Sequence, residues 1–232
     1  MRITTEEWHI SVGGEETTAV FEPAKVATRS TFVFAHGAGG HMADRGMLRL
    51  SEVLRDGGLD VVRFNFPYRA KGRGGPDPMP RLKACMSAVI ERVRAELKPS
   101  TLLIGGRSMG GRTASMLAAE GFECDGLLLF AYPLHPAGKP SSLRDAHLPQ
   151  IEVPVLCFNG TRDALCTRAL MERALTAVTA PWEMHWIDGA DHSFHVLKSS
   201  GRTDDDVMDE VGAAAGAWLD RGRGRRDSGR SC

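Results

Sequence analysis

Short apolar runs recur along the chain, separated by stretches of mixed polarity with helical spacing. Strand candidates fall at 7–12, 17–21, 31–36, 59–66, 101–106, 126–131, 153–159 and 182–187. The inner ones (TFVFAH, DVVRFNF, TLLIGG, GLLLFAY, PVLCFNG) are almost continuously apolar, the pattern of strands buried on both faces of a parallel sheet. The first two are more polar and close together, which suits an antiparallel hairpin at the edge.

Helices are predicted in the gaps. Leu82, Cys85, Met86, Val89, Ile90, Val93 and Leu97 keep helical spacing until Lys98-Pro99. Leu50 and Leu54 belong to a shorter helix stopped by Gly57-Gly58. Val207, Val211, Ala214, Trp218 and Leu219 form one stripe, introduced by Thr203 and three aspartates where the helix dipole favours acids. Strands alternating with helices predict a doubly wound, mostly parallel α/β sheet of seven or eight strands with helices on both faces. Segments 67–80 and 132–150 are rich in Pro and Gly and read as loops at the carboxyl edge of that sheet, where ligands bind in such folds. The expected organisation is one domain over 1–221 and a disordered basic tail over 222–232, with no large lid.

Composition narrows the class without naming a chemistry. Hydrophobic residues make up 42% of the 232, and charged residues 25%, ordinary for a globular chain. Zero formal net charge gives no overall pull toward nucleic acid or an anionic membrane. Five scattered cysteines without C-x-x-C pairing suit a reducing compartment. The N-terminal MRITTEEWHI lacks a signal-peptide pattern, and no apolar run approaches the roughly 18 residues of a membrane span. A cytoplasmic location is the expectation.

One stretch carries chemistry and reads two ways. IGGRSMGGRT at 104–113 is one residue from a phosphate-cradling loop, with Arg112 where lysine belongs. It also contains G-x-S-x-G, a nucleophile elbow centred on Ser108. The phosphate loop lacks its lysine, and the strands at 59–66 and 126–131 end in Phe66 and Ala131 rather than in an acid that could help hold magnesium. The elbow needs an acid and then a histidine further along the chain. Asp163 follows PVLCFNG and His192 follows WEMHWI, so both leave successive strand ends on the face that carries Ser108. Asp188 and Asp191 are rivals for the acid but lie too close in sequence to His192 to reach its Nδ1 easily. An oxyanion needs two backbone donors. Met109 supplies one, and the His36-Gly37-Ala38-Gly39 turn the other, through the Ala38 amide or, alternatively, that of Gly37.

These residues resemble the α/β-hydrolase superfamily over nearly the whole chain: HGAG at 36–39, GRSMG at 106–110, Asp163 and GADH at 189–192. The compact size is similar to the small, lidless hydrolases related to dienelactone hydrolase, with Ser108 where that enzyme has cysteine. The longer GGRSMGGR match resembles a branch that includes the hydrolase-like domain of a histone-acetyltransferase complex subunit and a testis-expressed relative. The resemblance implies a serine hydrolase working through an acyl-enzyme with no cofactor. Few aromatic residues near these motifs in sequence favour a small or water-soluble ester or thioester over a long lipid chain. The alternative is a non-catalytic binding or scaffold protein that keeps the fold and its triad. A nucleotide-binding protein using 105–113 is the second rival.

His36, Gly37, Arg69 and Arg107 are further candidates for substrate contact, and Lys71 and Arg73 share the basic loop with Arg69. His192 and His195 have H-x-x-H spacing but no third metal ligand nearby in sequence, so no metal is expected. Cys166 reads as a buried thiol at a helix start.

Overall fold

The computed structural model describes residues 4–26, 28–72 and 75–228, the last few of these as backbone only. Its sheet is built from β1 (Glu6–Val12), β2 (Glu15–Glu22), β3 (Ser30–Ala35), β4 (Asp60–Phe64), β5 (Thr101–Arg107), β6 (Gly126–Phe130), β7 (Val155–Gly160) and β8 (Trp182–Ile187). The order across the sheet is β1-β2-β4-β3-β5-β6-β7-β8. β1 pairs antiparallel with β2, and β2 with β4; every other pairing is parallel. All eight strands coincide with the apolar runs read from sequence, and the polar pair forms the expected edge hairpin.

Strand alternation sends neighbouring side chains to opposite faces, and each face has its own helices. Phe32, Phe34, Leu103, Leu128, Phe130 and Leu156 pack toward α1 (Arg45–Asp56) and α6 (Asp204–Ser228). Val33, Ile104, Leu127, Leu129 and Cys157 pack toward α3 (Met79–Leu97), α4 (Met109–Ala119) and α5 (Arg168–Leu175). The register aligns Ala35 with Gly106 and Gly160 with Ile187, so the loops after β3, β5, β7 and β8 emerge at one edge. This topology brings distant parts of the chain to one place.

Two expectations need correction. The 67–80 segment is not wholly loop: Pro67–Ala70 forms the short helix α2, and α3 begins at Met79. Proline reads as a breaker in sequence, but it sits in the first turn of both helices, where its missing N–H costs nothing. The 222–228 stretch, expected to be disordered, continues α6 as helix to Ser228. Once a helix is nucleated and packed, each further arginine adds to it easily; 229–232 lie outside the described residues. Between β6 and β7 the 132–150 segment is irregular apart from a 3-10 turn at Leu148–Gln150, and no lid is inserted there.

The seam between α1 and α6 gives a paired test of packing. A Cβ at Gly212 would lie 2.9 Å from Val53 Cβ, whereas one at Gly216 would meet nothing within 4 Å. Gly216→Ala is therefore expected to stabilise the protein by about 0.5–1 kcal/mol through helix propensity. Gly212→Ala is expected to destabilise it by about 1 kcal/mol, because overpacking outweighs the same gain. Thermal melts of the two variants check the opposite signs.

Candidate active site

Ser108 is the single residue between β5 and α4, with φ 48° and ψ −113°. Its N–H is held by the Phe130 carbonyl at 2.8 Å, and its own carbonyl accepts from Arg112 N–H at 3.0 Å. The turn can be this tight because Gly106 and Gly110 lack side chains. A Cβ at Gly110 would stand 2.6 Å from the Ala35 carbonyl and 2.7 Å from that of His36, and one at Gly106 would strike the Ala35 carbonyl. A phosphate-cradling loop needs several residues between strand and helix, each with a free N–H. One residue is too few, so the nucleotide reading fails on geometry.

His192 brings its Nε2 to 2.9 Å from Ser108 Oγ and its Nδ1 to 2.8 Å from Asp163 Oδ2. A carboxylate only accepts, so Nδ1 carries the proton and Nε2 faces the hydroxyl with its lone pair. The Asp163 side chain is fully buried, while that of His192 is 29% exposed. Asp163 is held by three donors: His192 Nδ1, Asn159 Nδ2 at 3.1 Å and the Leu165 amide at 2.8 Å. Asn159 also bonds Tyr132 through both its amide atoms, locking the acid to the end of β6.

The Asp163 and His192 loops approach closely because Gly160 has no Cβ; one there would strike the Ala190 carbonyl. Arg162 seals the contact, its N–H donating to Ala190 O at 2.9 Å and its guanidinium to Gly189 O at 3.0 Å. Such a chain of acid, imidazole and hydroxyl can withdraw the serine proton as the hydroxyl attacks and return it to a leaving group.

The turn after β3 lies against the nucleophile: a Cβ at Gly37 would be 3.5 Å from Ser108 Cβ. Its peptides are pinned from several sides. The Gly37 carbonyl accepts from Gly40 N–H at 3.0 Å and His36 Nδ1 at 2.7 Å, and the Ala38 carbonyl from Tyr68 OH at 2.6 Å. In a trans peptide the Ala38 N–H points opposite to the Gly37 carbonyl, so these bonds fix its direction. Met109 opens α4, so its N–H has no partner within the helix.

Three side chains expected near a substrate are used by the protein instead. His36 is fully buried and its Nε2 accepts from Phe66 N–H at 3.1 Å, which leaves neither ring nitrogen free. Burial pushes its pKa down from 6.5 to about 4, only partly opposed by its bond to Gly37. Arg69 donates to the Gly40 carbonyl at 2.7 Å and also to that of Gly39. Arg107 turns under the His192 loop, donating to the His192 carbonyl at 3.2 Å and stacking on Phe194 at 5.7 Å. Each of them braces a loop of the site. Lys71 pairs with Glu15 at 2.5 Å, and Arg73 lies outside the described residues.

The other histidines have partners of their own. His195 Nδ1 lies 3.0 Å from Asp204, and His185 Nε2 lies 2.7 Å from Glu210. Cys166 is buried, which pushes its thiol pKa well up. A groove of about 580 Å³ between Trp182 and Trp218 lies at the amino-terminal edge of the strands, opposite Ser108. Chemistry, not volume, locates the site.

Sequence reading missed Asn159, Tyr68 and the bracing roles of the arginines. A polar residue closing an otherwise apolar strand was the available signal for Asn159.

A mostly parallel sheet with helices on both faces and a serine at the strand–helix elbow defines an α/β serine hydrolase. Comparison with known proteins agrees. The alpha/beta hydrolase domain family matches residues 28–220, and the chain belongs to that family. Among solved structures it is similar to an alpha-beta serine hydrolase homologue from Coxiella burnetii (21% identity, 94% of this chain and 99% of that one, TM-score 0.76). It is also similar to a serine hydrolase without lid from Xanthomonas campestris (20% identity, 94% and 96% covered, TM-score 0.75). A dienelactone hydrolase from Anabaena variabilis shares 21% identity over 94% of this chain and 99% of its own, with TM-score 0.71. At these identities the likeness concerns the fold. Among the described residues no helix is long and apolar enough to cross a membrane.

Proposed function

We propose that the protein cleaves a small or water-soluble ester or thioester through an acyl-enzyme, with Ser108, Asp163 and His192 as a catalytic triad. The observation that carries this reading is the 2.9 Å approach of His192 Nε2 to Ser108 Oγ. Ser108 Oγ attacks the acyl carbonyl as His192 takes its proton. Asp163 holds the tautomer and stabilises the imidazolium, and the Ala38 and Met109 amides bind the oxyanion. The tetrahedral intermediate expels the alcohol or thiol, which receives the proton from His192. Water then repeats the sequence on the acyl-serine and frees the acid. No step calls for a cofactor or a metal.

A fluorophosphonate probe tests the reading directly. Wild type is expected to be labelled at Ser108 and Ser108→Ala not at all; a folded wild type that resists labelling would favour the scaffold alternative. Hydrolysis of short 4-nitrophenyl esters and matched thioesters then ranks the acyl bonds.

The pinned turn supplies a subtler test. Tyr68→Phe removes the hydroxyl that donates to the Ala38 carbonyl at 2.6 Å. It is expected to lower kcat about tenfold with little change in KM, because a donor that drifts is lost mainly in the transition state. Stability should fall by only about 1 kcal/mol. An equal rise in KM with kcat intact would assign Tyr68 to substrate binding instead.

A further inference from the structure

We propose that Arg112 and Arg144 form a subsite beside Ser108 for an anionic oxygen group, carboxylate or phosphate, carried on the acyl part of the substrate. The inference rests on the hydrolase reading of Ser108 and names the substrate class for that site.

Position comes first. At 100° per residue, Ser108, Arg112 and Ser115 fall within about 60° of one another on α4. Arg112 lies one turn, about 6 Å, below the nucleophile, and long helical side chains lean back toward the amino end. The 132–150 segment lies along this face. His147 Nε2 sits 2.8 Å from Ser115 Oγ, and the Tyr132 hydroxyl lies 3.3 Å from that nitrogen and 3.3 Å from the Arg144 carbonyl. The Tyr132 backbone is bonded to Asn159, which also holds Asp163, so the same wall continues into the triad.

Charge comes second. The Nε of Arg112 is buried and has no hydrogen-bond partner. Among the described residues no carboxylate pairs with Arg112 or Arg144, in contrast to the braced arginines around them. Burial holds the Arg112 guanidinium below its ordinary pKa; Tyr132 partly offsets this, and the nearby Arg144 cation adds to it. His147 contributes no charge at neutral pH, because burial and Arg112 push it down to about 4. Asp145 and Glu120 bias His147 through space, and Glu120 is engaged by Lys83 at 2.6 Å. Two cations without a carboxylate partner in a partly desolvated wall repel each other, and an oxyanion held by the outer guanidinium nitrogens relieves that repulsion. The positive end of α4, with no acid in its first turn, adds to the same field.

The helix rise places the anion about two to four carbons from the scissile carbonyl, the reach of a succinyl or glutaryl chain. The test compares 4-nitrophenyl hemi-glutarate with 4-nitrophenyl valerate. Wild type is expected to favour the anionic ester in kcat/KM by at least about tenfold, less so at high salt. Arg112→Gln is expected to lower that preference about 10–100-fold, Arg112→Lys to restore part of it, and Arg144→Gln to lower it about threefold. A preference that is absent in wild type, or unmoved in a folded Arg112→Gln protein, would overturn the subsite. Calorimetry on Ser108→Ala with glutarate or inorganic phosphate reads the subsite without turnover. Binding of either that disappears with Arg112→Gln supports it and identifies which anion fits. Binding of neither, or binding indifferent to Arg112, overturns it even if neutral esters are hydrolysed. Lack of fluorophosphonate labelling in wild type would instead sink the hydrolase reading and leave the calorimetry to decide on the anion.

Discussion

Ser108→Gly is expected to abolish ester hydrolysis by about 10⁴–10⁶-fold while leaving the protein more stable than Ser108→Ala. The loss follows from the triad acting as a unit: without the hydroxyl, the imidazole has no nucleophile to activate. What remains is the modest acceleration from oxyanion donors and substrate binding. Asp163→Asn should cost about 10⁴ by itself, since an amide at that position no longer selects the Nδ1–H tautomer. Joining it to Ser108→Gly should add almost nothing. Multiplicative losses in the double variant would mean that the two residues do not act through one proton path.

The stability half of the prediction comes from the backbone. Ser108 has φ 48° with ψ −113°, a conformation that costs a side-chain-bearing residue about 1–3 kcal/mol and glycine much less. Alanine keeps the Cβ and hence the strain, whereas glycine releases it at the expense of a more flexible unfolded chain. The net expectation is about 1 kcal/mol in favour of Gly over Ala, or roughly 2–4 °C in Tm. At a residue of ordinary negative φ glycine is the poorer choice, so the reversed order identifies strain stored at the nucleophile. A Tm for Ser108→Gly at or below that of Ser108→Ala would contradict it.

Strand identity was legible because the inner strands are buried on both faces and so must be continuously apolar; TLLIGG and GLLLFAY admit little else. The order Ser108, Asp163, His192 was legible because each follows a strand, and a parallel sheet sends every strand end to the same edge. Helix starts were harder to read. Pro67 and Pro80 look like breakers unless their place in the first turn is known, and that place is set by packing against β2 and β1. The roles of the arginines could not be read at all. A guanidinium in a Gly-rich loop needs acceptors, and a substrate carboxylate or a backbone carbonyl meets that need equally well. Arg69 and Arg107 found carbonyls; Arg112, which looked like a failed phosphate-loop lysine, is the one left with an orphaned donor. Only the placement of loops that are distant in sequence separates these cases.

Acidification is expected to destabilise the protein substantially before its carboxylates titrate. His36 and His147 are both held near pKa 4, against 6.5 in the unfolded chain, chiefly because burial disfavours their charged forms. His36 has both ring nitrogens in use, and His147 Nε2 lies against the Ser115 and Tyr132 hydroxyls. Protonating His36 at Nε2 would set an N–H against the Phe66 amide it now accepts from, and protonating His147 would add a third cation beside Arg112 and Arg144. A folded pKa below the unfolded one means that the unfolded chain binds more protons as the pH drops. The stability is therefore intact above about 6.5 and declines as pH falls toward 4. For fully buried His36 the difference between 6.5 and about 4 corresponds to about 3 kcal/mol; partly exposed His147 contributes roughly 2 after allowance for solvent. Together these approach the whole stability of an ordinary domain. His195, raised by Asp204, works in the opposite direction, but it is fully exposed and screened by solvent. Glu22 and Glu210 have lowered pKa values, so the stability they add begins to fade only once pH enters the usual carboxylate range, and is lost below it. Urea midpoints measured from pH 7.5 to 4.5 should fall steeply across the histidine window, with no change in the urea slope. His36→Gln should be less stable at pH 7.5 yet lose less on acidification. A wild-type midpoint that stays level to pH 4.5 would show that His36 is free to charge in the folded state, and the fixed turn beside Ser108 would lose its anchor.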